Sequence, residues 1–201
     1  MKDVDQALLQ IANIRAQLAA NTRFLGISPE FNLVMAGLAA VIAMTQHQFL
    51  SAGDDLGIIT LWATVLLASG GIVSVDALTR AKRLHGRWGN TMLAALLLKI
   101  LPFLVAAVVF TTVIVNYLPE QIWLVPGMWQ LLIGLTGFAV LASVPRAMIV
   151  VAAWFFLMGS FVLVAAAEQQ SLSPWMMGVP FTLGQLAVAY ILFQARERGC
   201  E

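Results

Sequence analysis

Six runs of mainly apolar residues divide this chain, and each is close to the roughly 20 residues that an α-helix needs to cross a bilayer. The chain has 201 residues, of which 61% are hydrophobic and 10% are charged, whereas a soluble domain carries about 25% charged residues. The formal net charge of +1 indicates no nucleic-acid-binding surface. The sequence therefore predicts an all-α, polytopic membrane protein.

Five short connections of polar, Gly or Pro character separate the six predicted transmembrane helices, and one of them is the basic stretch at 81–90. Because the connections are short, successive spans are expected to be antiparallel neighbours. Ser28-Pro29-Glu30 predicts the first helix start, with a capping serine, a proline at the first helical position and an acid in the first turn. The predicted spans cover or lie within residues 31–49, 57–78, 91–117, 124–144, 147–167 and 175–195.

Residues 3–21 predict an amphipathic helix that precedes the spans and is too polar to cross the membrane. Ile11, Ile14 and Leu18 share its apolar face, and Arg15 falls within the same arc. The opposite face is mostly neutral Gln and Asn, which favours a protein contact through these four residues over a lipid-surface contact. Docking on the protein's own bundle remains an alternative. The predicted organisation is a helix and linker at 1–27, a transmembrane domain at 28–196 and a tail at 197–201.

The distribution of basic residues predicts the orientation of the bundle in an inner membrane. Lysine and arginine accumulate in short cytoplasmic segments, and here they occur before the first span, in alternate loops and after the last span. The other loops carry only acids. Both termini are therefore predicted to be cytoplasmic. The basic residues outside the spans are Lys2, Arg15, Arg23, Arg80, Lys82, Arg83, Arg87, Arg146, Arg196 and Arg198.

Lys99 is the single charge in the apolar stretch LAALLLKILPFL at 93–104. Its long aliphatic stem allows the ammonium group to reach the inner headgroups if this part of the span lies near the boundary. Asp76 approaches the same side from the second span, so an ion pair between Lys99 and Asp76 is predicted. The alternative is a role in a transport pathway.

The sequence indicates no catalytic, metal or cofactor site. The lone cysteine, Cys200, gives neither a disulfide framework nor a thiolate cluster, and His47 and His85 are predicted on opposite sides of the membrane. The mid-depth polar residues are neutral, and Gln185, Thr136 and Ser160 are candidates for lining a cavity. An interhelical hydrogen bond is the alternative role for Gln185.

Two hypotheses about function follow. The first is a non-enzymatic accessory or regulatory membrane protein that acts through a protein partner at the cytoplasmic face. The second is a small-solute permease or a substrate-binding transporter subunit with a neutral mid-membrane cavity. The small-residue spacing of AGLAA at 36–40 is similar to that with which such subunits of vitamin-uptake transporters dock on an energising partner, although close helix packing explains the same spacing. Close helix packing is likewise predicted at Gly134 and Gly137 of the fourth span. Besides the bilayer, a second copy of the chain is a further expected type of partner.

Overall fold

The computed structural model describes residues 28–197 apart from positions 52 and 86, and these residues form six α-helices and no β-strand. The prediction of an all-α membrane protein is confirmed. The predicted N-terminal helix, with Ile11, Ile14, Arg15 and Leu18, lies outside the described residues. The helices are α1 (Pro29–Thr45), α2 (Asp55–His85), α3 (Arg87–Tyr117), α4 (Val125–Val140), α5 (Met148–Gln169) and α6 (Trp175–Glu197), with short 3₁₀ turns at Gln46–Gln48, Pro119–Leu124 and Leu141–Ser143.

Five of these helices, α2 to α6, are long and apolar enough to cross a membrane. The first helix, α1, has 17 residues, which at 1.5 Å per residue is about 25 Å. The 3₁₀ turn at Gln46–Gln48 continues it by about 6 Å, so that the two together match a hydrocarbon core of roughly 30 Å. The sixth crossing and the orientation of the termini stay predictions.

The helices α2 and α3 are longer than the sequence predicted, with 31 residues each, or about 46 Å per helix. The predicted connection at 81–90 is helical as far as His85 and again from Arg87, so the prediction of a ten-residue break was wrong. Ala, Lys, Arg and Leu, which make up half of this stretch, are good helix formers. A polar sequence therefore ends the membrane-crossing part of a helix without ending the helix.

The most extensive helix contact lies between α4 and α5, where glycines let the two backbones approach closely. A Cβ atom added at Gly134 would lie 2.6 Å from the backbone N of Phe156, and one at Gly159 would lie 2.7 Å from the backbone N of Leu131. Small residues permit this approach, and van der Waals contact is the main force that holds membrane helices together. The close packing predicted at Gly134 and Gly137 is confirmed, since a Cβ at Gly137 would lie 2.8 Å from that of Ala152.

The helices α1 and α6, which are far apart in sequence, form the second tight pair. Ala36, Ala39 and Ala43 are buried on one face of α1, and a Cβ added at Gly178 of α6 would lie 2.3 Å from that of Ala43. Ala36 and Ala39 of the AGLAA stretch thus pack inside the bundle and are not a free docking surface, whereas Gly37 stays exposed.

One end of this pair carries an exposed ion pair. Arg196 of α6 lies 3.0 Å from the carboxylate of Glu30, in the first turn of α1 and outside the predicted span. The Ser28 hydroxyl donates a hydrogen bond to the same carboxylate and, together with a backbone hydrogen bond and the Arg196 charge, lowers the pKa of Glu30. The helix start at Ser28-Pro29-Glu30 is confirmed, although the Ser28 hydroxyl bonds Glu30 rather than a backbone N–H.

The helix α3 is the least packed of the five long apolar helices. Only 6% of its most apolar window is buried, compared with 39% for α6. It contacts α2 on one side and α4 on the other. We call α2 and α3 the outer hairpin, because they flank the core formed by α1, α4, α5 and α6.

Candidate functional site

The buried polar side chains of the core brace the helix α6 where a proline interrupts it. Pro180 has no N–H, so the carbonyl of Met176, four residues earlier, has no helical donor. The side-chain amide of Gln130 on α4 donates to this carbonyl at 2.6 Å. The indole of Trp154 on α5 donates to the carbonyl of Pro180 at 3.0 Å. These side chains are used to hold three helices together.

Two further buried contacts attach α2 to α1. The indole N–H of Trp62 donates to the side-chain oxygen of Gln46 at 3.0 Å, and the hydroxyl of Ser69 lies 3.1 Å from the sulfur of Met35. Trp62, which is fully buried, also packs edge-on against Phe181 of α6. The inner face of α2 is therefore fixed to the core.

A lateral pocket of about 400 Å³ lies between the outer hairpin and α4. It is partly open to the surroundings, and its lining is almost wholly apolar. Along α3 the lining extends from Ile100 to Thr112, which is about 18 Å of helix. Its walls include Ala63 and Leu66 of α2, Phe103 and Ala107 of α3, and Leu132 and Ile133 of α4.

Hydrogen bonds link α3 to α4 at both ends of the lateral pocket. At one end the Trp129 indole donates to the Thr111 hydroxyl at 2.8 Å, and that hydroxyl donates to the Ala107 carbonyl. At the other end the exposed ammonium of Lys99 lies 3.4 Å from the Ser143 hydroxyl in the turn after α4. The pocket therefore has a polar contact between Trp129 and Thr111 at one end and the exposed cation of Lys99 at the other.

The three residues predicted to line a neutral cavity do not come together in the described structure. Thr136 lines the lateral pocket, and its hydroxyl donates to the Leu132 carbonyl of its own helix. The hydroxyl of Ser160 on α5 likewise donates to the Phe156 carbonyl. Gln185 lies seven residues after Gly178, on the face of α6 that packs on α1. These three side chains have similar predicted depths in the membrane, but they lie at different sites.

Five buried side-chain atoms have no hydrogen-bond partner within the part of the chain that the structure describes. Two of them, on Thr182 and Gln185, lie three residues apart on one face of α6. Such atoms are costly in an apolar interior unless water or another partner reaches them. The atoms are Gln46 Nε2, Trp123 Nε1, Gln130 Oε1, Thr182 Oγ1 and Gln185 Oε1.

The ion pair between Lys99 and Asp76 stays a prediction, because the contact that the structure gives Lys99 is to Ser143. The exposed ammonium is compatible with the predicted boundary position of Lys99. Trp123 and Trp129 are buried in the bundle, whereas Trp175 is half exposed.

The membrane-facing side of α2 carries a stripe of small residues, which we call the small-residue face. It consists of Thr60, Thr64, Ala68 and Gly71, all of them exposed and opposite the buried Trp62 and Ser69. The two threonine hydroxyls donate to carbonyls of their own helix. A Cβ added at Gly71 would meet no atom within 4 Å.

Sequence reasoning missed the lateral pocket and the bracing role of Gln130. The proline in the last span was a usable signal, since it implies a carbonyl that needs another donor.

Among the described residues, no group of three or more His, Cys, Asp and Glu side chains lies close enough to hold a metal ion. The expected lack of catalytic and cofactor sites stays a prediction. Comparisons with protein families, with curated proteins and with solved structures found no match for this chain.

Proposed function

We propose that this protein is a non-enzymatic accessory or regulatory protein of the inner membrane, which acts by binding a membrane-embedded protein partner. The observation that carries this proposal is the small-residue face of α2. Elsewhere, in α4, α5 and α6, the glycines Gly134, Gly159 and Gly178 are in contact with a neighbouring helix of the same chain. Gly71 has no such neighbour within the part of the chain that the structure describes.

Glycine and threonine lower the stability of a helix, and this cost supports the presence of a partner on the small-residue face. Glycine in a helix interior is about 1 kcal/mol less favourable than alanine, and threonine loses side-chain freedom in a helix. Small residues offset such a cost when they let a second helix approach closely. Because no helix among the described residues covers Gly71, we assign that place to a helix of another molecule.

A lone exposed glycine is not sufficient for docking, and α1 provides the comparison. Gly37 also has open space around it, but Val34, three residues before it, is bulky and exposed. On α2 the same position before Gly71 is Ala68, and Thr64 lies one turn earlier. These three small residues form a continuous stripe, which the exposed Leu67 and Val75 flank. We therefore place the partner's transmembrane helix on α2 and use α1 as the internal control.

The test is co-purification of a partner with two leucine variants in native membranes. Gly71→Leu should fold normally, since its side chain enters open space, but it should lose the associated protein. Gly37→Leu, the matched control, should retain it. Equal retention of the associated protein by both variants would contradict the proposal.

The predicted amphipathic helix at residues 3–21 adds a second contact on the cytoplasmic side. Deletion of residues 2–21 should leave the bundle inserted and equally stable in detergent while weakening partner binding. A lower melting temperature with unchanged partner binding would instead assign this helix to the protein's own bundle.

A further inference from the structure

We infer that the lateral pocket holds one acyl chain of an anionic phospholipid, with the lipid phosphate at Lys99. This site is separate from the small-residue face and does not depend on the protein partner proposed above. The inference rests on the dimensions of the pocket, on its lining and on the charge at one end.

The dimensions fit a hydrocarbon chain of one leaflet. The pocket extends for about 18 Å along α3, and a hydrocarbon core of roughly 30 Å gives each leaflet about 15 Å. Its volume of about 400 Å³ lies within the range of natural ligand pockets. A narrow, elongated apolar space next to a lipid-exposed helix is suited to an extended chain.

The lining explains why the occupant is apolar along its length. The hydroxyls of Thr111 and Thr136 are both hydrogen-bonded to carbonyls of their own helices. The indole of Trp129 is bonded to Thr111 at the end of the pocket distant from Lys99. These donors are already used, so a polar solute would find little compensation there for its lost hydration.

The charge at the opposite end provides the preference for an anionic headgroup. Lys99 directly precedes Ile100, the first pocket residue on α3, and its ammonium is exposed. Ser143 lies beside it, and the exposed Arg146 follows three residues later on the same side of the membrane. Asp76 on α2 lies toward the same end of the outer hairpin, but the sequence also places Arg80, Lys82, Arg83 and Arg87 at that end, so basic residues outnumber the carboxylate there.

The expected affinity comes from the contact between the lipid headgroup and Lys99 and from the fit of the acyl chain to the pocket. A chain that leaves the bilayer for the pocket exchanges one apolar environment for another, because lipid tails are as apolar as leucine. Hydrophobic transfer therefore adds little. One lysine near an anionic surface corresponds to about a fivefold preference for the anionic lipid.

Lipid retention measured by mass spectrometry tests the site. The full-length protein is reconstituted into nanodiscs that contain phosphatidylglycerol and phosphatidylethanolamine, then extracted in mild detergent. The wild type should retain about one phospholipid, enriched about fivefold in phosphatidylglycerol. Lys99→Gln should remove this enrichment, and Lys99→Arg should preserve it.

Filling the pocket is the second arm of the test. Ala107→Trp should abolish retention, whereas Val109→Trp, on the exposed side of the same helix and outside the lining, should not. If Ala107→Trp fails to fold, Ala63→Phe fills the pocket from the α2 wall. Unchanged retention in the filled variants, or an enrichment that is insensitive to Lys99→Gln, would overturn the inference.

Discussion

The side-chain amide of Gln130 on α4 donates a hydrogen bond to the main-chain carbonyl of Met176 on α6, at 2.6 Å. That carbonyl is available because Pro180, four residues later, has no N–H to offer it. A side chain from one helix thus completes the hydrogen bonding of another. The contact fixes α6 next to α4 at the point where a proline would otherwise weaken the helix.

Gln130→Leu is expected to destabilise the bundle by about 1 kcal/mol, since interhelical hydrogen bonds in membranes have this magnitude. The reason is the partly buried Met176 carbonyl, which the substitution leaves without a donor. Pro180→Ala restores a helical donor, so the same leucine substitution in that background should cost clearly less. Thermal unfolding in detergent of the four proteins of this double-mutant cycle measures the coupling, and additive effects would contradict this role.

Gly134→Ala should lower stability by about 1–3 kcal/mol, the usual cost of overpacking. Its new methyl group would lie 2.6 Å from the backbone N of Phe156, which cannot rotate away as a side chain can. Gly71→Ala is the matched control, and its helix should be unchanged or up to about 1 kcal/mol more stable. Melting temperatures in detergent decide the case, and an equal effect at the two sites would disprove the packing argument.

The sequence predicted much of the secondary structure, because hydropathy and helix-start signals are local. The start at Ser28-Pro29-Glu30 and the close contact at Gly134 were read correctly. The pairing of α1 with α6 and the bond from Gln130 to Met176 join residues far apart in the chain, and no local pattern encodes which donor meets a given carbonyl.

The three residues predicted to line a cavity lie apart in the described structure for a related reason. Depth along a span can be estimated from hydropathy, but the direction in which each side chain points depends on helix packing. Gln185, Thr136 and Ser160 have similar predicted depths, yet they lie on different faces of different helices. The sequence showed that the residues around Gly71 are small, but it did not show that they are exposed.

Gln185→Leu distinguishes the accessory role from the alternative of a permease. The substitution removes a buried amide oxygen that has no partner among the described residues, so stability should be unchanged or slightly higher. Partner binding should also be unaffected. Loss of a measured solute flux in a well-folded Gln185→Leu protein would favour the permease instead, with Gln185 in its pathway.

The proposed orientation predicts which sites a membrane-impermeant thiol reagent reaches. In a cysteine-free background, Asp54→Cys and Ser171→Cys should react in intact cells, because their loops carry no basic residue. Native Cys200 should react only after permeabilisation. Labelling of Cys200 from outside would reverse the predicted topology.

The most direct test of the central claim is site-specific photocrosslinking in native membranes from the small-residue face of α2. A photoreactive residue at Ala68 should give one discrete crosslinked product with a different protein, and one at the exposed Val34 of α1 should not. Gly71→Leu should abolish the product, while Gly37→Leu should leave it intact. A product that contains only lipid, a product with a second copy of this chain, or equal products from Ala68 and Val34 would contradict an accessory protein that docks its partner on α2.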